Sequence, residues 1–94
     1  MWATVRRYEG VTNREEAAKR VREGFVPLIR DHQGFVAYYW MDSEDGVMFS
    51  TSVFEDKADE EDSNRMAAEW VKENIADLLP NPPVITAGHV VAQS

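Results

Sequence analysis

The sequence predicts an α+β domain in which two helices cover one face of a four-stranded antiparallel sheet. Three observations predict it: four stretches patterned as strands, two with helical periodicity, and their order, which is strand, helix, strand, strand, helix, strand. That order is the split βαβ arrangement, in which both helices pack on the same side. With 94 residues and no internal linker or repeat, the chain is expected to form a single domain over residues 1–94. A chain of this size buries only roughly 60 to 65% of its unfolded surface, so self-association would add useful burial.

Trp2 to Glu9 mixes β-formers with alternating polarity and ends at Gly10, as a first strand does. Thr12, Asn13, Arg14 and Glu15 read as a capping box led by Thr12. The helix that follows is expected to bury Ala17, Val21, Phe25, Leu28 and, less centrally, Ile29. Gly24 and Pro27 interrupt it, and the missing amide of proline predicts a kink or break between them. After Gly34, the run Phe35 to Met41 is apolar and aromatic on both alternating faces, so this second strand must be covered twice. Asp42 to Gly46 is a turn, and Val47 to Phe54 returns as the third strand of a hairpin. Val47, Phe49, Thr51 and Val53 share one face of it, with Met48, Ser50, Ser52 and Phe54 on the more mixed other face.

The second helix is expected to begin around Asp62 and to run to about Leu79, where Pro80, Asn81, Pro82 and Pro83 stop it. At ~100° per residue, Asn64, Ala67, Val71, Ile75 and Leu78 fall on one stripe, with Ser63, Trp70 and Asn74 along its edge. Glu55, Asp56, Asp59, Glu60, Glu61 and Asp62 precede or open this helix, where carboxylates favour the positive end of its dipole. They read as a solvated helix entrance. Val84 to Ala92 is the last strand.

A net charge of −7 repels phosphate backbones and anionic lipid heads, and no basic stripe offsets it, so no nucleic acid or membrane partner is expected. The absence of cysteine removes disulfides, thiolate metal sites and thiol nucleophiles. No signal-peptide run or membrane span is present, which points to the cytoplasm. No nucleophile elbow or glycine-rich phosphate loop occurs. The two histidines, His32 and His89, lie apart without an obvious carboxylate partner, and no metal is expected. A sheet with both helices on one face leaves the other bare and aromatic-rich, which a second copy would cover, so a homodimer is expected.

Gly34-Phe35-Val36 opens the second strand and Phe54-Glu55-Asp56 closes the third. With these and the element order, nearly the whole chain resembles the dimeric α+β barrel superfamily, within it the antibiotic biosynthesis monooxygenase domains and their small relatives. The resemblance implies a ferredoxin-like subunit, a dimer packed sheet to sheet, and a small pocket between sheet and helices. It also implies oxygenation of an aromatic substrate without metal or flavin, in which a phenolate-like anion reduces dioxygen and the protein stabilises that anion away from water. No cofactor is therefore expected. Asn64 and Trp70 match the asparagine and tryptophan that such relatives carry on or beside the corresponding helix. The superfamily's haem-degrading members combine a first-strand asparagine with a histidine on the helical side; this chain has neither, which disfavours that activity.

The site expected on these grounds has Asn64 as a donor to a substrate oxygen and Trp70 against its ring or donating its indole N–H. Both also have structural readings, as a cap and as core volume. His89, among apolar neighbours in the last strand, is expected to be partly buried, as an acid or base or as a structural group. Tyr38 and Tyr39 must face opposite ways, and Tyr39, which shares alternation with Phe35 and Met41, is favoured for the pocket. Phe49 joins Tyr38 and Tyr39 as a substrate-binding candidate. One of Arg6 and Arg7 is expected to turn inward toward an anion, and Arg7 is carried as the candidate. The ligand expected is a small apolar or aromatic molecule, phenolic or quinol for an oxygenase. The alternative is a non-catalytic ligand-binding or interaction module. An isomerase or lyase-like activity would need His89 beside an open pocket.

Overall fold

The structure, a computed structural model, describes residues 1–94. Four strands, β1 (Trp2–Tyr8), β2 (Phe35–Asp42), β3 (Met48–Phe54) and β4 (Val84–His89), form one sheet in the order β2-β3-β1-β4. Every neighbouring pair is antiparallel. This is the ferredoxin-like α+β fold that the element order predicts. The last strand is shorter than 84–92: pairing ends at His89, and the Val90 amide donates instead to the Met1 carbonyl at 2.9 Å. No helix is long and apolar enough to cross a membrane.

The first helical region comprises α1 (Arg14–Arg20), a π-helical turn (Val21–Phe25) and α2 (Val26–Arg30). Asn13, not Thr12, caps it: the Asn13 side chain accepts from the Glu16 amide at 3.1 Å, while the Thr12 amide and hydroxyl both donate to the Leu78 carbonyl. The backbone neither breaks nor runs straight at Gly24 and Pro27. It widens, with the Val26 amide donating to the Val21 carbonyl, and Pro27 enters at the start of α2, where it needs no partner of its own. The extra residue has a consequence for packing. In a continuous α-helix Ile29 would stand about 120° from Ala17 and Leu28 only about 20°. The π-turn brings Ala17, Val21, Phe25 and Ile29 into one buried row and leaves Leu28 44% exposed, reversing the expected order of the last two.

The second helix, α3 (Lys57–Asn74), starts five residues earlier than Asp62, because Asp56 caps it by accepting from the Asp59 amide at 3.0 Å. It also ends earlier than Leu79, passing into a short 3₁₀ turn (Ala76–Leu78) before the prolines. The longer helix changes the standing of the acidic run. Glu60 lies seven residues before Ala67, about 20° from it on the helical wheel, so it joins the inner stripe and is completely buried instead of solvated. Gly34, at φ +77°, lets the chain turn from the first helical region into β2 where a Cβ would collide with the Asp59 carboxylate.

Residue parity fixes what reaches the interior. On the helix side lie Thr4, Arg6 and Tyr8 of β1 and Met48, Ser50, Ser52 and Phe54 of β3, all buried. A bulge between Phe35 and Ala37 interrupts the alternation of β2. Phe35 therefore faces Phe54 in the core, Tyr38 packs on Phe25 and Trp40 on Tyr8 on the same side, and Tyr39 turns to the helix-free side at 60% exposure. Tyr8, Val21, Phe25, Ile29, Phe54, Ala67, Ile75 and Leu79 make the principal core. The opposite sheet face carries Val5, Tyr39 and Val84 exposed, with no element over it.

Candidate functional site

Adjacent polar pairs in two antiparallel strands build a polar band across the middle of the inner sheet face. Thr4 stands opposite Ser52, and Arg6 opposite Ser50. Above them α3 presents Glu60, Ser63 and Asn64. The Arg6 guanidinium, 6% exposed, donates from one nitrogen to the Asn64 side-chain oxygen at 2.7 Å and to the Asn64 carbonyl at 3.3 Å. The Asn64 amide nitrogen then donates to the Thr4 hydroxyl at 3.3 Å. This chain of bonds fixes the asparagine's orientation, because its oxygen must meet the cation and its nitrogen the hydroxyl. Arg6 makes no ion pair with any carboxylate.

Two spaces meet at Arg6, Tyr8 and Val71. A cleft of about 340 Å³ opens between α3 and β4, lined by these three with Asn64, Arg65, Ala68, Pro83 and Ile85. Behind it an inner chamber is walled by Val21, Phe25, Tyr38, Trp40, Ser50, Ala67 and Trp70, and its free space is only about 10 Å³, enough for about one water. The Trp40 indole N–H is buried there with no partner. Trp70 fills the chamber from the α3 side and lies across Gly24, where an added Cβ would stand 2.9 Å from its Cζ2. Its ring sits 5.2 Å from that of Phe25, which meets Tyr38 edge-on at the same separation. The π-turn and its glycine thus provide the room that the Trp70 ring occupies.

The chamber wall is neutral apart from Arg6. Burial pushes the Tyr8 phenol up, against the opposing pull of Arg6, and pushes the Tyr38 phenol far above the usual tyrosine range. Burial also raises the Glu60 carboxyl, whose Oε1 accepts from the Ser52 hydroxyl at 2.7 Å. No phenolate or paired carboxylate neutralises the guanidinium. Arrangements of this kind hold an anion: a desolvated, oriented donor acts far more strongly than one in water.

Asn64 reaches the cleft and Trp70 the inner chamber, on either side of the same wall. Tyr38 lines the chamber as well. The other sequence candidates stand elsewhere. Tyr39 is on the outer sheet face for the reason of the bulge, and Phe49 and Arg7 share a surface depression there with Val5 and Val47. Arg7 pairs with Glu9 at 2.8 Å, so the inward arginine is Arg6. His89 is exposed, not partly buried, because β4 is an edge strand and α3 does not extend over its end; its ring lies 5.7 Å from Trp2, away from the cleft lining. His32 packs edge-on against Phe54. Thr4, Ser50, Ser52 and Glu60 were not among the candidates. For the three strand residues the signal lies in the alternation of Thr4 with Arg6 and of Ser50 with Ser52, polar positions on strand faces that otherwise end in Tyr8 and Phe54. No group of three or more histidine, cysteine or acidic side chains is disposed to hold a metal ion.

No family model matches the sequence, and no curated protein matches it. Solved structures do. A protein of unknown function from Nitrosomonas europaea superposes with a TM-score of 0.80 at 23% identity, over 99% of this chain and 91% of the other. A monooxygenase from Streptomyces coelicolor, ActVA-Orf6, solved with the ligand nanaomycin D, gives 0.73 at 17% identity over 98% and 92%. A MhuD variant with two manganese protoporphyrin IX groups per active site gives 0.74 at 8% identity over 100% and 98%. At these identities the likeness establishes the fold, which this chain shares with antibiotic biosynthesis monooxygenase-type proteins.

Proposed function

We propose that the cleft and chamber bind a small aromatic molecule bearing an ionised oxygen, and that the protein is a cofactor-independent monooxygenase acting on a phenolic or quinol substrate. The observation that carries the reading is Arg6: a buried guanidinium without a carboxylate partner, oriented by Asn64, at the wall of an open cleft. The cation and the asparagine would hold the substrate oxyanion, whose ring would enter between Val71, Ile85 and Tyr8. An electron-rich anion of this kind is itself the reductant. When a ring CH₂ becomes C=O, dioxygen supplies the carbonyl oxygen, and its second atom leaves with the two hydrogens as water. Arg6 favours the reaction by stabilising the anion from which electrons depart. The nanaomycin D bound by ActVA-Orf6 and the manganese protoporphyrin IX bound by the MhuD variant support a small-molecule ligand for a protein of this fold.

Oxygen uptake tests the reading. Purified protein is expected to consume oxygen with at least one anthrone- or quinol-type compound, one equivalent per anthrone CH₂ converted to C=O or per quinol converted to hydroxyquinone, with water as the second product in each case. A panel giving neither uptake nor binding would sink it. The second reading, a non-catalytic ligand-binding module, is favoured by the inner chamber, which in its present form admits about one water. It predicts saturable binding of the same compounds with no uptake.

The same reading includes a homodimer, supported by the uncovered sheet face with Val5, Tyr39 and Val84 exposed. Sedimentation velocity at micromolar concentration is expected to give twice the mass of the 10.7 kDa chain. A monomer would remove this part of the proposal.

A further inference from the structure

Glu60 is the group that this function leaves unused. It is completely buried, its Oε1 accepts one hydroxyl bond from Ser52, and its Oε2 has no hydrogen-bond partner. An ionised carboxylate has room for about four such bonds, and burying it this poorly solvated is costly. The charged and titratable groups facing it are few. Arg6 of β1 and His32 from the turn before β2 both favour the anion, as do the hydroxyls of Ser52 and Thr4, but desolvation by burial outweighs all four. The carboxyl nevertheless borders the same polar band as the anion site, whose bonds run from Thr4 through Asn64 to Arg6.

We propose that Glu60 is the positioning residue of the Arg6–Asn64 site: it stands in the folded chain as an uncharged carboxyl, so that the guanidinium keeps its full charge for an incoming anion. Were Glu60 ionised, a fixed negative charge inside the protein would offset Arg6, and a ligand anion would enter against it. Proton retention by Glu60 and anion binding at Arg6 are then linked, each strengthening the other by the same factor. This rests on the reading of the cleft as an anion site, and it adds which internal group governs that site.

The sign follows from the raised affinity of the folded carboxyl for its proton. Between the ordinary glutamate value and the higher folded one, the unfolded chain binds fewer protons than the folded chain, so stability falls as pH rises across that window. Anion affinity falls from the folded value upward, where the carboxyl of the ligand-free protein ionises and anion binding must draw a proton back to it. Glu60→Gln retains the shape and carries no ionisable proton, so it is expected to abolish the slope in anion affinity and to reduce the slope in stability, to which the raised Asp59 carboxyl also contributes.

The test uses the wild-type chain, Glu60→Gln and Arg6→Met with 8-anilinonaphthalene-1-sulfonate, whose sulfonate stays ionised throughout. The binding attributed to the site is the part lost in Arg6→Met. For wild type it is expected to weaken about tenfold with rising pH, which corresponds to a coupling of about one pKa unit; for Glu60→Gln it is expected to be strong and flat. Infrared spectra of the ligand-free protein, followed from the ordinary glutamate value upward in pH, are expected to keep the C=O stretch of a protonated carboxyl in wild type after exposed carboxyls have ionised, and to lack that retained band in Glu60→Gln. If that band is missing from wild type, or if Glu60→Gln keeps the same pH slope through His32, the role of Glu60 is overturned while the anion site stands. If the band is present but no binding depends on Arg6, the anion site itself fails, and the role of Glu60 fails with it.

Discussion

Arg6→Met is expected to weaken binding of an anionic aromatic ligand by about 30- to 800-fold, the equivalent of about 2 to 4 kcal/mol for removing a desolvated charged partner. Methionine retains much of the aliphatic bulk that Arg6 places between the cleft and the inner chamber, but supplies no donor to Asn64 or to the ligand. Arg6→Lys separates charge from geometry. A lysine keeps the cation and a donor for Asn64, whose two oxygens meet one guanidinium nitrogen, but it lacks the remaining N–H groups of the planar guanidinium that would meet a ligand oxyanion, so an intermediate loss is expected. Isothermal titration with a phenolate or arylsulfonate checks the series. Equal affinity for wild type and Arg6→Met would mean that the buried cation serves only the fold.

Phe54→Ala is expected to cost about 3 to 5 kcal/mol, as deletion of a fully buried aromatic side chain does. For a chain of this length the whole stability is about 5 to 14 kcal/mol, so the variant would sit near the edge of folding. Phe54 is completely buried and closes β3 at the point where the bulged start of β2, the turn carrying His32 and the core meet, with the Phe35 ring 5.9 Å and the His32 ring 5.3 Å away. Neither neighbour is placed to fill its volume, since Phe35 is held by the strand register and His32 by the backbone bonds of its turn. Urea denaturation followed by circular dichroism measures the loss. A change below about 1 kcal/mol would show that the site collapses readily and that Phe54 is not the anchor of this end of the sheet.

Much of the candidate site was within reach of the sequence, and the misses have definite causes. A helix displays its periodicity locally, so the sequence places Asn64 and Trp70 toward the sheet, and in the structure the two line the cleft and the chamber. The choice of Arg7 over Arg6 had no local solution: either parity is compatible with a strand of this composition, and the pairing of Arg6 with Ser50 on the covered face decides it. Glu60 is hidden in an acidic run of which Glu55, Asp56, Glu61 and Asp62 lie toward solvent. Its place on the Ala67 stripe emerges only when the helix is started at Lys57. His89 looked partly buried because its own face is apolar, but an edge strand can be apolar and still be uncovered.

Element order, the α+β class and the pairing of an acidic entrance with a helix start follow from local chemistry: periodicity, capping groups, prolines and turn residues act over a few neighbours. Which side chains face the pocket does not, because two single-residue insertions reset the parity. The bulge after Phe35 turns Tyr38 and Trp40 inward and Tyr39 outward, and the π-turn at Val21–Phe25 exchanges Leu28 for Ile29 while making room at Gly24 for Trp70. An insertion costs backbone hydrogen bonds locally and is repaid only by packing across the sheet and between sheet and helix. Those partners lie tens of residues away in the chain, so only the assembled tertiary structure could choose them.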